Sequence, residues 1–186
     1  MRIGSLLLLG CTVLSAALTP AQINQKFKKM QDISNRCMNK ANQLTASDGT
    51  HINSPSSRFH DIFKGMDEID SIANEISRSV EGLPARYSSA DSTVVMDGFE
   101  GFGSQQQDLY TALNGNRQPF AGMASVCNAV SKAISSDQDS LGRLGLALFD
   151  KVATSDQYVV TRIRAGLGKQ SSNVHVLYCM GINNGS

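Results

Sequence analysis

The segment INQKFKKMQDISNRCMNKANQL, residues 23–44, decides the fold class. Its apolar and small side chains recur in alternating steps of four and three residues, with asparagine, glutamine and lysine between them. These positions are Ile23, Phe27, Met30, Ser34, Cys37, Ala41 and Leu44. Because an α-helix has 3.6 residues per turn, this spacing puts all of them on one face. The segment is therefore predicted to be an amphipathic helix with a buried apolar face.

The same pattern recurs in the later segments 59–83, 95–113, 120–152 and 159–177. A polar loop is expected at residues 47–57, between the first two helices. Ser88 and Asp91 have the spacing of a capping box and predict the start of the third helix. About five amphipathic helices joined by short loops favour an up-and-down bundle, so the predicted fold class is all-α.

The N-terminus has the pattern of a secretory signal peptide. Arg2 supplies a basic start, residues 6–18 are almost all apolar, and small residues up to Ala21 offer cleavage sites. The apolar run is too short for the roughly 20 residues that span a bilayer. We therefore expect a cleaved signal peptide over residues 1–21 and a single helical-bundle domain over residues 22–186. The product should be secreted, extracellular or associated with the cell wall, with no transmembrane segment.

Charge and motif content argue against several classes of function. The chain has 17 lysine and arginine residues against 16 aspartate and glutamate residues, without the clustered basic run that nucleic acid requires. There is no G-x-S-x-G nucleophile motif, and His51, His60 and His175 are too scattered for a metal site. The glycines of GFEGFG, residues 98–103, keep a helical register and follow no strand. We expect no nucleic-acid partner, metal, cofactor or enzymatic activity.

Three cysteines remain once Cys11 is removed with the signal peptide: Cys37, Cys127 and Cys179. In an oxidising compartment we expect one disulfide and one spare thiol. Cys37 lies about eight residues before the end of the first helix and Cys127 about eight residues after the start of the fourth. In an up-and-down bundle both would lie at a similar level. We predict a disulfide between Cys37 and Cys127, with Cys179 free or intermolecular.

A family resemblance is carried by two runs, SSADSTVV at residues 88–95 and LYTALNGNRQPFAGMASVCNAVSKAISSDQDSLGRLGLALFDKV at residues 109–152. Together with the signal peptide, the five amphipathic helices and the absence of tryptophan, they resemble the fungal hydrophobic surface-binding protein A family, also called cell-wall galactomannoproteins. The resemblance implies a secreted, non-enzymatic protein whose helices adsorb to hydrophobic surfaces or enclose a lipid. Members similar to this chain bind fatty acids in a cavity between helices.

A ligand site is predicted between the third helix and the first half of the fourth. A fatty acid or other apolar small molecule would contact Val95, Phe99, Phe102, Phe120, Met123 and Cys127. Arg117 and Gln118, at the start of the fourth helix, are candidate partners for its carboxylate. Periodicity alone is also compatible with a filled core. The alternative function is a secreted effector or interaction protein that engages a host protein through an exposed helical face.

The third helix contains Gly98, Gly101 and Gly103. Each glycine costs roughly 1 kcal/mol relative to alanine inside a helix. This helix is therefore predicted to be locally weak and to move when a ligand enters. Replacing all three glycines by alanine should then slow ligand uptake.

Overall fold

The computed structural model describes residues 17–180. Its α-helices are α1 (Pro20–Ala41), α2 (Ala46–Thr50), α3 (Arg58–Glu81), α4 (Ser89–Gly115), α5 (Ala124–Lys151) and α6 (Gln157–Cys179). Two 3-10 turns, Gln118–Phe120 and Thr154–Asp156, precede α5 and α6. Within residues 17–180 there is no strand, and no helix is long and apolar enough to cross a membrane. The all-α fold class is confirmed, whereas the predicted signal peptide falls mostly on residues 1–16, outside the described range.

Polar side chains determine where the helices begin. Thr19 Oγ1 accepts a hydrogen bond from the backbone N–H of Gln22 at 3.2 Å, and Gln22 Oε1 accepts one from the backbone N–H of Thr19 at 2.8 Å. Pro20 occupies the first turn of α1, where the missing N–H has no intrahelical partner to lose. Ser88 Oγ accepts the N–H of Asp91 at 3.2 Å, as the sequence predicts. These bonds satisfy backbone donors that the helices leave unpaired.

The five long helices close a ring. Helix α1 packs against α3 and α4, α5 packs against α3 and α6, and α6 also packs against α4. The order around the ring is therefore α1, α3, α5, α6, α4. Because α3 and α4 are not main packing partners, and neither are α4 and α5, the connections between them cross the ends of the bundle.

Side-chain contacts give the helix directions. Gln31 on α1 donates to the Gly98 carbonyl on α4 at 3.2 Å, and Asn116, just after α4, contacts Asn42, just after α1, at 3.4 Å. Both elements therefore run the same way. Lys40 near the end of α1 pairs with Asp61 near the start of α3, so α1 and α3 are antiparallel. Successive long helices alternate in direction, which is the up-and-down arrangement that the sequence predicts.

Two predicted boundaries change in the structure. The polar loop at residues 47–57 contains α2, a single short helix. The fourth predicted helix was expected to include Phe120 from its start, but Phe120 lies in a 3-10 turn and α5 begins only at Ala124. Gly122 separates the two with a φ of 78°, a left-handed conformation that glycine adopts without a Cβ clash.

The predicted disulfide is wrong. Cys127 on α5 is bonded to Cys179 at the end of α6, with their Cα atoms 5.0 Å apart. Cys37 is a buried free thiol on α1, packed against Gly65 of α3. The error comes from the assumed neighbours, because α1 and α5 are not main packing partners, whereas α5 and α6 are antiparallel neighbours. Burial raises the pKa of Cys37 to about 11, so this thiol is poorly reactive.

The three glycines of α4 are sites of close packing. A Cβ on Gly98 would lie 2.8 Å from Asn24 Oδ1, and one on Gly101 would lie 2.5 Å from Gln31 Nε2. A Cβ on Gly103 would lie 2.5 Å from Ile163 Cγ2 of α6. These glycines therefore let α4 approach its neighbours. The predicted movement of α4 stays a prediction, but alanine at these positions would introduce clashes as well as helix propensity.

Candidate functional site

A groove of about 450 Å³ lies between α5 and α6. Helix α5 contributes Gln138, Leu141 and Gly142. Helix α6 contributes Thr161, Arg164, Ala165, Leu167, Gly168, Ser171 and Ser172. The volume falls within the roughly 300–1,000 Å³ of typical small-molecule sites. The groove is therefore large enough to receive a ligand of that class.

The floor of the groove is apolar and its inner end reaches the middle of the bundle. Leu141 and Leu167 line it and are each about 95 % buried, with 4 % and 5 % of their surface exposed. Tyr110 of α4 also lines it and is 1 % exposed. A hydrogen bond between two lining residues crosses the groove, where Gln138 Nε2 donates to Ser171 Oγ at 2.6 Å. The hydrocarbon part of an acyl chain in this groove would thus contact Leu141 and Leu167.

Arg164 is a half-buried cation of the groove lining. Its aliphatic stem lies across Gly145 of α5, where an added Cβ would be 2.3 Å from Arg164 Cδ. Among the described residues, no carboxylate oxygen lies within 4.0 Å of its guanidinium nitrogens. By contrast Arg162, two residues earlier on the same helix, pairs with Glu100. Arg164 is therefore available to bind an anionic ligand group.

Two glycines of the lining have no packing partner. A Cβ on Gly142 of α5 or on Gly168 of α6 would have no protein atom within 4 Å, apart from its own chain neighbours and helix backbone. Both residues lie inside helices with ordinary negative φ. Glycine at such positions costs about 1 kcal/mol each relative to alanine. The packing within the chain does not explain these two glycines.

A network of polar side chains lies inside the ring, behind Tyr110. Ser34 Oγ donates to Gln106 Oε1 at 2.6 Å, and Gln106 Nε2 donates to Asp137 Oδ2 at 2.8 Å. The Tyr110 hydroxyl donates to the same oxygen of Asp137. The other oxygen of Asp137 is buried and has no hydrogen-bond partner among the described residues. The centre of this bundle is therefore polar and incompletely satisfied.

Asp137 titrates far from its ordinary range. Burial, together with the nearby Asp70 carboxylate, raises the pKa of Asp137 to about 8. Asp70 in turn accepts hydrogen bonds from Ser136 Oγ at 2.6 Å and from Ser140. Burial also raises the pKa of Tyr110 well above its usual value. At neutral pH the Asp137 carboxyl is therefore mostly protonated.

The six predicted ligand residues fall into two parts of the bundle. Phe99 and Phe102 of α4 stack around Phe27 of α1, with ring centroids 5.5 Å and 6.3 Å from it. Phe120 instead packs on Phe59 of α3 at 5.0 Å. These five phenylalanines are at most 1 % exposed.

The other three predicted residues follow the same division. Val95 is fully buried one turn before Phe99 on α4. Met123 is half-buried and precedes α5. Cys127 is half-buried and forms the disulfide with Cys179. Contact of any of the six with a ligand stays a prediction.

The predicted carboxylate partners lie at a smaller hollow of about 200 Å³. Arg117 and Gln118 line it together with Leu177, Tyr178 and Met180 of the α6 end. Arg117 Nη1 already donates to the Asn114 carbonyl at 2.6 Å. This guanidinium is therefore partly satisfied by the chain itself.

Sequence reasoning missed the α5–α6 groove. Gly142 lies inside α5, which is one continuous helix from Ala124 to Lys151. Gly168 likewise lies inside α6, so neither glycine has the turn or loop position that usually draws attention to glycine in a sequence. The available signal was the polar and small residues at Thr161, Arg164 and Gly168, spaced to share one helix face.

Among the described residues, no group of three metal-ligating side chains comes together.

Comparison with known proteins identifies the fold. No protein-family model matches the chain, and no curated protein matches its sequence. The crystal structure of AfMP4p in complex with palmitic acid matches with a TM-score of 0.73 and 16 % identity, covering 86 % of this chain and 99 % of that one. Ligand binding domain 2 of the Penicillium marneffei MP1 protein, complexed with multiple arachidonic acids, matches with a TM-score of 0.62 and 12 % identity, covering 84 % of this chain and 96 % of that one. The chain shares the helical-bundle fold of these two proteins.

Proposed function

We propose that this chain is a secreted, non-enzymatic protein that binds a fatty-acid-like lipid between its helices. The observation that carries the proposal is the shared fold, because both neighbours were solved with fatty acids bound, palmitic acid in one and arachidonic acid in the other. The apolar floor of the α5–α6 groove supplies a suitable surface in this chain.

The hydrophobic effect provides enough free energy for such binding. Burying a methylene contributes about 0.8 kcal/mol, so a sixteen-carbon chain has a gross driving force on the order of 12 kcal/mol. Loss of translational and rotational freedom and ordering of the chain offset several kcal/mol of this. We therefore expect a dissociation constant near the micromolar range. Adsorption to hydrophobic surfaces would draw on the same apolar side chains.

Secretion has a structural requirement at the start of α1. Cleavage after Ala17 would retain Thr19, whose side chain caps the helix, and Leu18, whose N–H donates to Ser79 Oγ at 2.6 Å. Cleavage after Ala21 would remove both. We propose the earlier site, which N-terminal sequencing of the secreted product would test. A mature chain that begins at Gln22 would contradict it.

Lipid binding is tested on the whole secreted chain. Native mass spectrometry before delipidation should detect co-purifying acyl chains, and the delipidated protein should bind palmitic acid by calorimetry. Octanoic acid is the matched control, since eight fewer methylenes remove on the order of 6 kcal/mol of gross driving force. Absence of palmitic acid binding would contradict the proposal and favour the alternative, an interaction protein that engages a host protein.

A further inference from the structure

We propose that the lipid lies in the groove between α5 and α6, that Gly142 and Gly168 keep this groove open for the acyl chain, and that Arg164 binds the carboxylate. This inference rests on the proposed function and assigns its site. It differs from the site predicted from the sequence, which lies along α4 and the segment before α5.

Gly142 and Gly168 differ in their surroundings from six other glycines of the long helices. Elsewhere in the long helices, Gly65, Gly98, Gly101, Gly103, Gly145 and Gly166 each lie where an added Cβ would come within 3.0 Å of a side chain of another helix. Those glycines are explained by close packing. Gly142 and Gly168 border one groove from opposite sides, and an added Cβ on either would meet open space. A side chain at either position would extend into volume that the chain leaves unfilled, so glycine there preserves that volume.

Arg164 provides a positive charge in the lining of the groove. Its stem is held against Gly145, which fixes where the guanidinium lies along the groove. It lies one helical turn from Gly168 on α6, and no carboxylate of the described residues pairs with it. A guanidinium can donate two parallel hydrogen bonds to a carboxylate, and partial burial makes such a pair stronger than one on the open surface. A single-chain lipid with a terminal carboxylate matches a groove with one cation and a leucine floor.

Blocking the groove tests the glycines without risking the fold. In Gly142→Leu with Gly168→Leu, the better helix propensity of leucine should keep or raise the melting temperature, by about 2–4 °C per site. The affinity for palmitic acid should nevertheless fall at least tenfold. Gly115→Leu is the matched control, because Gly115 also has open space at its Cβ position but lies outside the groove, at the end of α4. This variant should bind palmitic acid as the wild type does.

Removing the charge tests the anchor. Arg164→Gln should weaken palmitic acid binding about tenfold and leave hexadecanol binding unchanged, since hexadecanol has the same chain without the carboxylate. Arg162→Gln is the matched control, because Arg162 lies on the same helix but is already paired with Glu100. It should not alter the affinity for either probe.

The outcomes separate this inference from the function on which it rests. A wild-type chain that binds neither palmitic acid nor hexadecanol would refute the proposed function itself. A wild type that binds palmitic acid, with glycine variants that bind it equally well, would overturn the assignment of the groove. Equal losses for palmitic acid and hexadecanol in Arg164→Gln would overturn the role of Arg164 alone.

Discussion

Two helix–helix interfaces of the ring contain glycines, but the space around those glycines differs between the two. Between α1 and α4, Gly98 and Gly101 are covered by Asn24, Phe27 and Gln31, and the helices approach closely. Between α5 and α6, Gly142 and Gly168 are left uncovered and a groove of about 450 Å³ remains. Glycine therefore accompanies close packing at the α1–α4 interface, the closed seam, whereas the α5–α6 interface, the open seam, has one packed glycine, Gly145, and two open ones.

The two interfaces contribute differently to the protein: packing at the closed seam stabilises the bundle, whereas the open seam leaves space for a ligand. The closed seam includes the aromatic contacts of Phe27 with Phe99 and Phe102, where tight packing gains dispersion energy. The open seam forgoes such contacts and also retains two helix-weakening glycines. Proteins commonly give up stability where a ligand must bind.

The largest expected effect comes from creating a cavity at the closed seam. Phe102→Ala should destabilise the fold by about 3–5 kcal/mol, because this side chain is fully buried. Urea denaturation of the variant would measure the loss. Palmitic acid affinity, measured under native conditions, sharpens the comparison: unchanged affinity would refute a ligand contact at Phe102. Phe120→Ala tests the second aromatic group in the same way, and the variants are best kept single because their combined cost approaches the whole stability of a domain.

Replacing a glycine by alanine should destabilise the fold at the closed seam and stabilise it at the open seam. Gly98→Ala places a Cβ 2.8 Å from Asn24 Oδ1 and 3.0 Å from the buried Phe27 ring, so overpacking should cost about 1–3 kcal/mol. Gly142→Ala meets no atom and should stabilise the fold by about 1 kcal/mol. Thermal denaturation of both variants measures the contrast. Stabilisation by Gly98→Ala would show that the close approach of α4 can relax.

The polar centre behind the open seam should make the stability of the fold depend on pH. Asp137 has a pKa of about 8 in the folded chain, above its ordinary value of 3.8, so the folded state holds the proton more tightly. Stability should therefore be highest below about pH 4 for this group and fall as pH rises towards 8, at up to about 1.4 kcal/mol per pH unit. Asp137→Asn removes this titration and should flatten the slope in urea denaturation measured from pH 5 to 8. An unchanged slope would contradict the raised pKa.

Much of the fold follows from the spacing of apolar residues. The pattern from Ile23 to Leu44 predicts α1, and Ser88 with Asp91 predicts the start of α4, because these signals are local. Local sequence signals do not determine the order of the helices around the ring, because the apolar face of one helix does not specify which other helix covers it. The incorrect prediction of a disulfide between Cys37 and Cys127 follows from this missing information about which helices are neighbours.

The groove was harder to predict than the helices. Buried phenylalanines such as Phe102 and Phe120 are visible in the sequence, but periodicity cannot show whether they line a cavity or fill a core. Gly98 and Gly142 are equivalent as sequence, and only the atoms near their Cβ positions distinguish a packing site from an open one. The unpaired state of Arg164 likewise depends on which helices surround it.

The disulfide between Cys127 and Cys179 closes the α5–α6 groove at the end opposite to the loop that connects the two helices. It clamps the start of α5 to the end of α6. At a rise of 1.5 Å per residue, Gly145 lies about 27 Å along α5 from that clamp. Residues 152–156 join the same two helices at the other end, where Gln157 Nε2 also donates to the Phe149 carbonyl at 2.9 Å, so α5 and α6 are tethered at both ends and can separate most between the two tethers. A lipid would therefore enter from the side of the groove, between the two tethers, with its carboxylate beside the Arg164 guanidinium.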